Sequence, residues 1–338
     1  MKSKKFVWVL ALVFALSLVV AGCGGGKNGD KESPKQGETP KQQAQEVKFP
    51  TKPITIVTGS SPGAPIDVMA RLLAKLGEKT LGVPISVLNK VGGSGTIALS
   101  YNQTQPADGY TVNTEATGIT SILQMAGSPY TYKDFEYVIR VQMDPFALYV
   151  AKDSPYKTLD DFLKAAKSKK IRVGGYGKGS PHNIITYDLG KKAGVEFEWV
   201  PFNSGNDAIM NVMGGHLDAA MSNISAYASK KGEVRVLAVS SDERVNFAPE
   251  VPTFKELGYP ELTRYHWRGL IVKKGTPKEI IQKLHDGFKK AMEDPEWKKY
   301  MESSGMLDGY LPPDKFKEAV YAQADNDLKV LKEMGLLK

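Results

Sequence analysis

From Pro53 onwards the chain alternates short apolar runs with amphipathic segments, and this order constrains the fold more than any other feature. The runs PITIVT, VPISVLN and GYTVNTE are typical of strands. The segments IDVMARLLAKLGEKTLG and GGSGTIALSYNQ have the apolar spacing of helices. A β-α-β-α order favours a parallel sheet covered by helices on both faces. We therefore expect an α/β fold.

A second series of strands and helices follows a change of rhythm near residues 134–150. FEYVIRVQMDPFALYVAK indicates two extended runs broken at Pro145. Thr158 and Asp161 predict a capping box, and Thr276 with Pro277 predicts a cap followed by the first helical residue of a later helix. We expect two lobes, each a mainly parallel sheet flanked by helices. Lobe 1 would comprise residues 49–150 and 266–338, with lobe 2, residues 151–265, inserted into it.

The N-terminus predicts export. MKSKK followed by FVWVLALVFALSLVVAG is typical of a secretory signal peptide over residues 1–22, with an uncleaved membrane anchor as the alternative. VVAGC resembles a bacterial lipobox, in which the signal is cut before the cysteine and that cysteine is lipidated. Cys23 is the one cysteine of the chain. Residues 23–48 are almost free of apolar residues and predict a flexible tether to a lipid anchor on the extracytoplasmic side of the membrane.

Charge and histidine spacing exclude several classes of protein. The formal net charge is +8, but lysines alternate with acidic residues and no nucleic-acid motif accompanies them, so we expect no nucleic-acid partner. The four histidines lie far apart without metal-ligand spacing, and no hydrolytic nucleophile is recognisable. We therefore expect neither a metal nor a cofactor.

Two glycine-rich stretches resemble nucleotide sites in outline. Gly93, Gly95 and Ala98 follow a strand and open a helix, and Glu115 lies 20 residues after Gly95, as in a dinucleotide fingerprint. The unit is the second βαβ rather than the first, and an exported chain has little access to NAD. The alternative is a tight turn that lines a cleft. GGYGKGS departs from a phosphate-binding loop because Gly179 separates the lysine from the serine.

Small and hydroxyl residues recur where strands run into helices, in GSSPGAPID, NKVGGSGT, EATGITS, GYGKGSPHN, PFNSGND and SNISAY. Helix N-termini present free N–H groups and a partial positive charge, so such ends bind carboxylate or phosphate. The alternative is that these side chains only cap their helices. In open parallel sheets, ligands bind beyond the carboxyl ends of the strands.

These loops, in this order, resemble the substrate-binding proteins of tripartite tricarboxylate transporters, the Bug family of extracytoplasmic solute receptors. The resemblance covers residues 50–338 and is carried by FPTKPITIVTGSSPGAPID, NKVGGSGTIA, ADGYTV, GGYGKGSPHN, VPFNSGNDAIMNVMGGHLDAAM and APEVPTFKELGYP. It implies a two-lobed, type II periplasmic-binding fold that closes like a Venus flytrap. It also implies a small carboxylic acid as ligand and a membrane permease as partner, and we expect a monomer.

The resemblance implies two ligand-holding loops, residues 60–67 in lobe 1 and residues 178–182 in lobe 2. The candidate ligand-binding residues are Ser60, Ser61, Gly63, Ala64, Asp67, Thr117, Lys178, Gly179, Ser180, His182, Asn203, Asn223 and Arg268. Ala64 and Pro65 stand where the family has glycines, and Pro65 lacks an N–H. Arg268 replaces an aromatic residue, and would either pair with a ligand carboxylate or with an acid of the protein. Asp67 would cap its helix or take an ammonium group.

The sequence thus predicts a non-enzymatic receptor that captures a di- or tricarboxylate, an aromatic acid or an amino acid. The lobes would close over the ligand, and the closed form would deliver it to the permease. A ligand sensor for a signalling partner and an envelope enzyme on the same fold are the alternatives, because fold alone does not determine function.

Overall fold

The computed structural model describes residues 48–125 and 127–337. Its strands are β1 Ile54–Thr58, β2 Ile85–Asn89, β3 Thr111–Ala116, β4 Phe135–Ala151, β5 Ile171–Tyr176, β6 Phe197–Phe202, β7 Ala219–Asn223, β8 Val234–Val239, β9 Tyr265–Lys273 and β10 Leu307–Leu311. Its helices are α1 Pro65–Leu81, α2 Thr96–Thr104, α3 Ile122–Met125, α4 Leu159–Ala166, α5 Pro181–Ala193, α6 Gly205–Met213, α7 Lys278–Ala291, α8 Pro295–Ser303 and α9 Pro313–Glu333. The predicted signal peptide, Cys23 and nearly all of the predicted tether lie outside the described residues.

Two parallel groups of three strands form the frame of the sheet. In the first group β2, β1 and β3 pair in parallel, and in the second group β6, β5 and β7 do so. Antiparallel strands join and extend them, because β9 pairs with β3 and β4, and β4 pairs with β7, β8 and β10. The predicted α/β class is confirmed, but the expectation of mainly parallel sheets is wrong in this detail, since the connecting pairs are antiparallel.

Strand β4 runs through both parts of the sheet without the predicted break. Its first part pairs with β9 as far as Pro145, which lies opposite Tyr265. From Phe146 onwards it pairs with β7 and β8 instead. Proline has no N–H for a ladder, so it is tolerated where one partner strand ends and the next begins. Pro145 therefore marks a change of partner, and the division of the chain into lobes at residues 150 and 266 stays a prediction.

Local hydrogen bonds set where several helices begin. The predicted capping box of α4 is confirmed: the Asp161 N–H donates to Thr158 Oγ1 at 3.1 Å, and the Thr158 N–H donates to Asp161 Oδ2 at 3.0 Å. The predicted cap of α7 is wrong by one residue, because Pro277 occupies the capping position. The Thr276 hydroxyl donates instead to the Lys273 carbonyl oxygen at 2.7 Å. Helix α8 and strand β10 were not predicted, since neither has strong apolar periodicity.

Apolar side chains cover both faces of each strand group. Helices α1 and α7 pack Leu73 and Phe288 against the first group, and α9 packs Phe316 against its other face. Helices α4 and α5 cover one face of the second group, and α6 covers the other. The end of α9 also reaches α5, where Leu331 packs on Ile184. The resulting frame leaves the carboxyl ends of the parallel strands free for a site.

No helix within residues 48–125 and 127–337 has the length and apolar character that crossing a membrane requires.

Candidate functional site

Hydrogen bonds to the Asp67 carboxylate fix the conformation of the loop at residues 60–67. One carboxylate oxygen accepts hydrogen bonds from Gly63 N at 2.8 Å and Arg71 Nε at 2.9 Å. The other accepts from Asn89 Nδ2 at 2.7 Å and Arg71 Nη2 at 3.0 Å. Burial tends to raise the pKa of Asp67, but these hydrogen bonds outweigh it, and the net effect lowers the pKa. Asp67 is 1% exposed, and its role in the structure is to shape the loop.

The start of α1 presents backbone donors rather than side-chain caps. Ala64 occupies the capping position without a side-chain hydrogen bond, and Pro65 is the first helical residue. The N–H groups of a first helical turn have no acceptor inside the helix, and Pro65 contributes none. The Ala64 N–H donates to the Ser61 carbonyl oxygen at 3.1 Å, and Gly63 N is taken by Asp67. The donors left in this turn are those that follow Pro65.

The glycine-rich stretch before α2 forms a tight turn. Gly92, Gly93, Ser94 and Gly95 all have positive φ. Ser94, at φ 53°, is the one non-glycine residue with positive φ among those described, and this conformation is uncommon for a residue with a Cβ. A Cβ on Gly59 would lie 3.0 Å from Gly95 Cα, so β1 and this turn approach closely. The alternative of a turn that lines a cleft fits this geometry.

The loop at residues 178–182 is fastened by a buried histidine. His182 Nδ1 accepts from the Tyr176 N–H at 3.2 Å, and Nε2 lies 3.2 Å from Asn223 Oδ1. The backbone bond makes Nδ1 an acceptor, so the neutral ring carries its proton on Nε2 and donates to Asn223. Burial lowers the pKa of His182 to about 4, although the bond to Asn223 acts against this. Ser180 caps α5 by accepting from the Asn183 N–H at 3.2 Å.

A cavity of about 460 Å³ opens at the carboxyl ends of β1 and β3. Helix-start and turn residues line one part of it, and Tyr176 at the end of β5 brings in the second strand group. Its lining comprises Gly59, Ser60, Ala64, Pro65, Ile66, Val91, Gly92, Ser94, Gly95, Ala98, Thr114, Glu115, Ala116, Gly118, Ile122, Tyr176, His266 and Arg268. A volume of this size accommodates a small metabolite.

Arg268 brings a positive charge to this cavity. Its side chain belongs to β9 and is 7% exposed. Within the described residues no carboxylate lies within salt-bridge distance of it, and its hydrogen bond goes to Met306 Sδ at 3.3 Å. Asp144 is near enough for the guanidinium to influence its pKa, but its oxygens bond Ser225 at 2.6 and 3.2 Å, and burial raises its pKa to about 6. No ion pair of Arg268 with an acid forms among the described residues, although Asp144 lies close enough to interact with it electrostatically, and Arg268 as a ligand contact stays a prediction.

The cavity lining also includes His266, Glu115 and Tyr176, which were not among the predicted ligand-binding residues. His266 stands two positions before Arg268 on β9 and so lies on the same face of the strand. Burial lowers its pKa well below the usual range, and Arg268 and His182 add to the effect, so it is neutral. Glu115 ends β3 together with Ala116, and Tyr176 ends β5. The signal that finds Glu115 and Tyr176 is that carboxyl ends of parallel strands meet at one edge of a sheet. His266 lies near the start of β9, whose antiparallel pairing with β3 brings it to the same edge.

The remaining predicted residues are spread more widely. Ser60, Ala64 and Arg268 line the cavity, whereas Ser61 and Gly63 are exposed at the tip of their loop. Thr117 is buried, and its Oγ1 accepts from the Trp267 N–H at 2.8 Å. Lys178 lines a second cavity together with Tyr187 and Trp199. Gly179 lies against Met125 and Leu331, and Asn203 lies on an exposed turn. Which of these residues contact ligand stays a prediction.

The structure can also be compared with the requirements of a metal site and of a nucleotide site. Over residues 48–125 and 127–337 there is no cluster of three or more His, Cys, Asp or Glu residues that could hold a metal ion. Gly93 and Gly95 lie in the turn beside β1 rather than after the first strand of a dinucleotide-binding unit.

Comparison with known proteins identifies the protein family of this chain. The model of the tripartite tricarboxylate transporter family receptor matches residues 69–336. The "UPF0065 protein in gbd 5′ region" of Cupriavidus necator is 31% identical over 88% of this chain and 91% of its own length.

Two solved structures from Rhodopseudomonas palustris share the fold. MatC with bound malate is 27% identical, with a TM-score of 0.71, over 84% of this chain and 100% of its own. A second R. palustris protein, with adipate, is 27% identical, with a TM-score of 0.74, over 85% of this chain and 98% of its own. Because the family model spans most of the described residues, and the fold is shared along nearly the whole length of both structures, the chain belongs to the tripartite tricarboxylate transporter receptor family.

Proposed function

We propose that this protein is an extracytoplasmic receptor that captures a small carboxylic acid in the cavity at the ends of β1 and β3 and releases it unchanged. The observation that carries the proposal is the buried Arg268 guanidinium, which lines this cavity without an ion-pair partner among the described residues. A buried charge is costly unless it is paired, and a ligand carboxylate supplies the missing partner with two charge-assisted hydrogen bonds.

The rest of the cavity supports an anionic group of this size. The start of α1 has no side-chain cap, and its residues Ala64, Pro65 and Ile66 line the cavity, so a helix end with a partial positive charge borders it. His266 is neutral and has no hydrogen-bond partner within the described residues, so one of its ring nitrogens is free to donate. The malate and adipate carried by the two R. palustris structures are both small carboxylic acids. A carboxylate on Arg268 is compatible with all of these neighbours.

Residues of both strand groups line the cavity. A ligand that contacts Ser60 and Tyr176 at the same time would therefore favour an arrangement in which the two strand groups close over it. A ligand shifts such an equilibrium by its difference in affinity for the two states. We propose that a membrane permease takes up the ligand from this closed form of the receptor. The predicted monomer is testable by light scattering, which should give the mass of one chain with and without ligand.

The binding test is a titration of the purified chain with mono-, di- and tricarboxylates, aromatic acids and amino acids, followed by thermal unfolding and calorimetry. A ligand at 100-fold its Kd should add about 2.7 kcal/mol to the free energy of unfolding. Arg268→Gln should weaken binding roughly 10- to 150-fold, as expected for lost hydrogen bonds to a charged group of about 1.5–3 kcal/mol. Arg172→Gln, at an exposed arginine of β5 that pairs with Asp218, is the control and should bind as the wild type does. The absence of binding across the whole panel would refute the proposal.

We also propose that Cys23 carries a lipid anchor after removal of residues 1–22. The support is the VVAGC sequence and the predicted tether of residues 23–48. Cys23→Ser should release the protein from membranes into the soluble fraction of the exporting cell. Continued membrane association of that variant would argue for an uncleaved anchor instead.

A further inference from the structure

Glu115 and Arg268 place opposite charges on one cavity without pairing with each other. In the register of β3 with β9, Glu115 lies opposite Gly269, and Ala116 lies opposite Arg268. Successive residues of a strand point to opposite faces, so the two side chains leave the sheet on different sides. The cavity extends around the end of β3 and is lined by both residues. A ligand in it therefore meets a cation on one side and a carboxyl group on the other.

The Glu115 carboxyl group is held without a cation. Its Oε1 accepts from the Ala116 N–H at 3.0 Å, and no lysine or arginine among the described residues lies within ion-pair distance of it. Burial raises the pKa of Glu115 to about 7, with the Ala116 N–H acting in the opposite direction. The side chain is only partly exposed, so its ionised form has limited contact with water and no cation within ion-pair distance among the described residues. A ligand cation would supply that partner.

Asp67 is another carboxylate near this edge of the sheet, and it is already paired with Arg71. Arg71 approaches it with two nitrogens, and Asn89 and Gly63 fill its remaining acceptor positions. Asp67 also does not line the cavity. The expectation that Asp67 would take an ammonium group therefore passes to Glu115.

We propose that the ligand is a small amino acid, with its carboxylate on Arg268 and its ammonium group on Glu115. This inference rests on the proposed function and narrows it, because it selects a zwitterion from the wider class of carboxylic acids. A dicarboxylate would satisfy Arg268 but would bring a second negative charge into the part of the cavity that Glu115 lines. A zwitterion neutralises both unpaired groups at once.

The test uses pairs of probes that differ only in the ammonium group: L-aspartate and succinate, L-glutamate and glutarate, L-alanine and propionate, and 4-aminobutyrate and butyrate. Calorimetry on the purified chain at one pH near 8 should show at least one ammonium member binding tenfold or more tightly than its partner. Glu115→Gln should remove most of that difference, while Glu302→Gln, at an exposed glutamate of α8, should preserve it.

The outcomes separate the two proposals. If the acids without ammonium bind equally well or better, and Glu115→Gln leaves them unchanged or tighter, the zwitterion proposal is overturned while carboxylate capture stands. If no probe of either kind binds to the folded chain, carboxylate capture itself is overturned. Circular dichroism of Glu115→Gln confirms that a lost preference does not come from unfolding.

Discussion

Asn89 joins the carboxylate of Asp67 to the backbone of the loop that lines the cavity. Its Nδ2 donates to Asp67 Oδ1 at 2.7 Å and to the Ser60 carbonyl oxygen at 2.9 Å. Its Oδ1 accepts from Arg71 Nη2 at 2.9 Å, so one amide connects the end of β2, the start of α1 and the loop between β1 and α1. The position of Ser60 beside the cavity therefore depends on a network that does not itself line the cavity.

Asp67→Asn should loosen this network. An amide keeps the shape of the side chain but loses an acceptor, so the Arg71 pair and the Gly63 bond cannot all persist. We expect a loss of about 1–3 kcal/mol in the free energy of unfolding, measured by denaturant titration, together with weaker ligand binding. Asp108→Asn, at an exposed pair with Lys52, keeps an oxygen that can accept from the Tyr110 N–H and should cost much less. Equal effects of the two variants would contradict the network.

His182 should make the protein less stable in mild acid. Its pKa lies near 4 in the folded chain and near 6.5 in the unfolded chain, so between these values the unfolded state binds more protons. Stability from this group is therefore complete above pH 6.5 and falls as the pH drops toward 4, by roughly 3 kcal/mol. In His182→Asn, the free energy of unfolding, measured from pH 7.5 to 4, should lack the part of the pH dependence that comes from His182. An unchanged slope would mean that the histidine is not buried as described.

Glu115 should make the free energy of unfolding fall as the pH rises, which is the opposite of the effect of His182. Its pKa is raised to about 7 in the folded chain, so from about pH 4.5 upward the unfolded state loses its proton first. The destabilisation therefore grows as the pH rises toward 7 and then stays constant. Glu115→Gln should be more stable than the wild type at pH 8, and the difference should shrink toward zero by pH 4. A difference that does not vary with pH would show that this carboxyl group is well solvated.

Gly269 should tolerate no side chain. A Cβ there would lie 2.6 Å from the Ile139 carbonyl oxygen and 2.7 Å from two atoms of the Phe316 ring. Gly269→Ala would push β9 away from β4 and α9, and we expect a loss of about 1–3 kcal/mol in unfolding free energy. Because Arg268 is the preceding residue, ligand affinity should fall as well. Gly118→Ala, whose Cβ would meet only Ile122 Cδ1 at 3.7 Å, should be close to neutral in stability.

Features set by neighbouring residues were readable from the sequence. The Thr158–Asp161 capping box, the span of α1 and the short strands β1, β2 and β3 depend on hydrogen bonds and apolar spacing within a few residues. Pro145 was misread because a missing N–H is harmful inside a ladder but harmless where the partner strand changes, and only the partners of β4 show which case holds.

The composition of the site was decided by tertiary structure. The sequence by itself determined the α/β order, the family resemblance and the small-residue loops at the strand ends, because these are local or sequential properties. It could not show that Asn89 of β2 donates to Asp67, that Lys178 lies at a different cavity, or that Glu115 and His266 share a cavity with Arg268. Those outcomes depend on strand register and on which charged groups find partners in the folded chain.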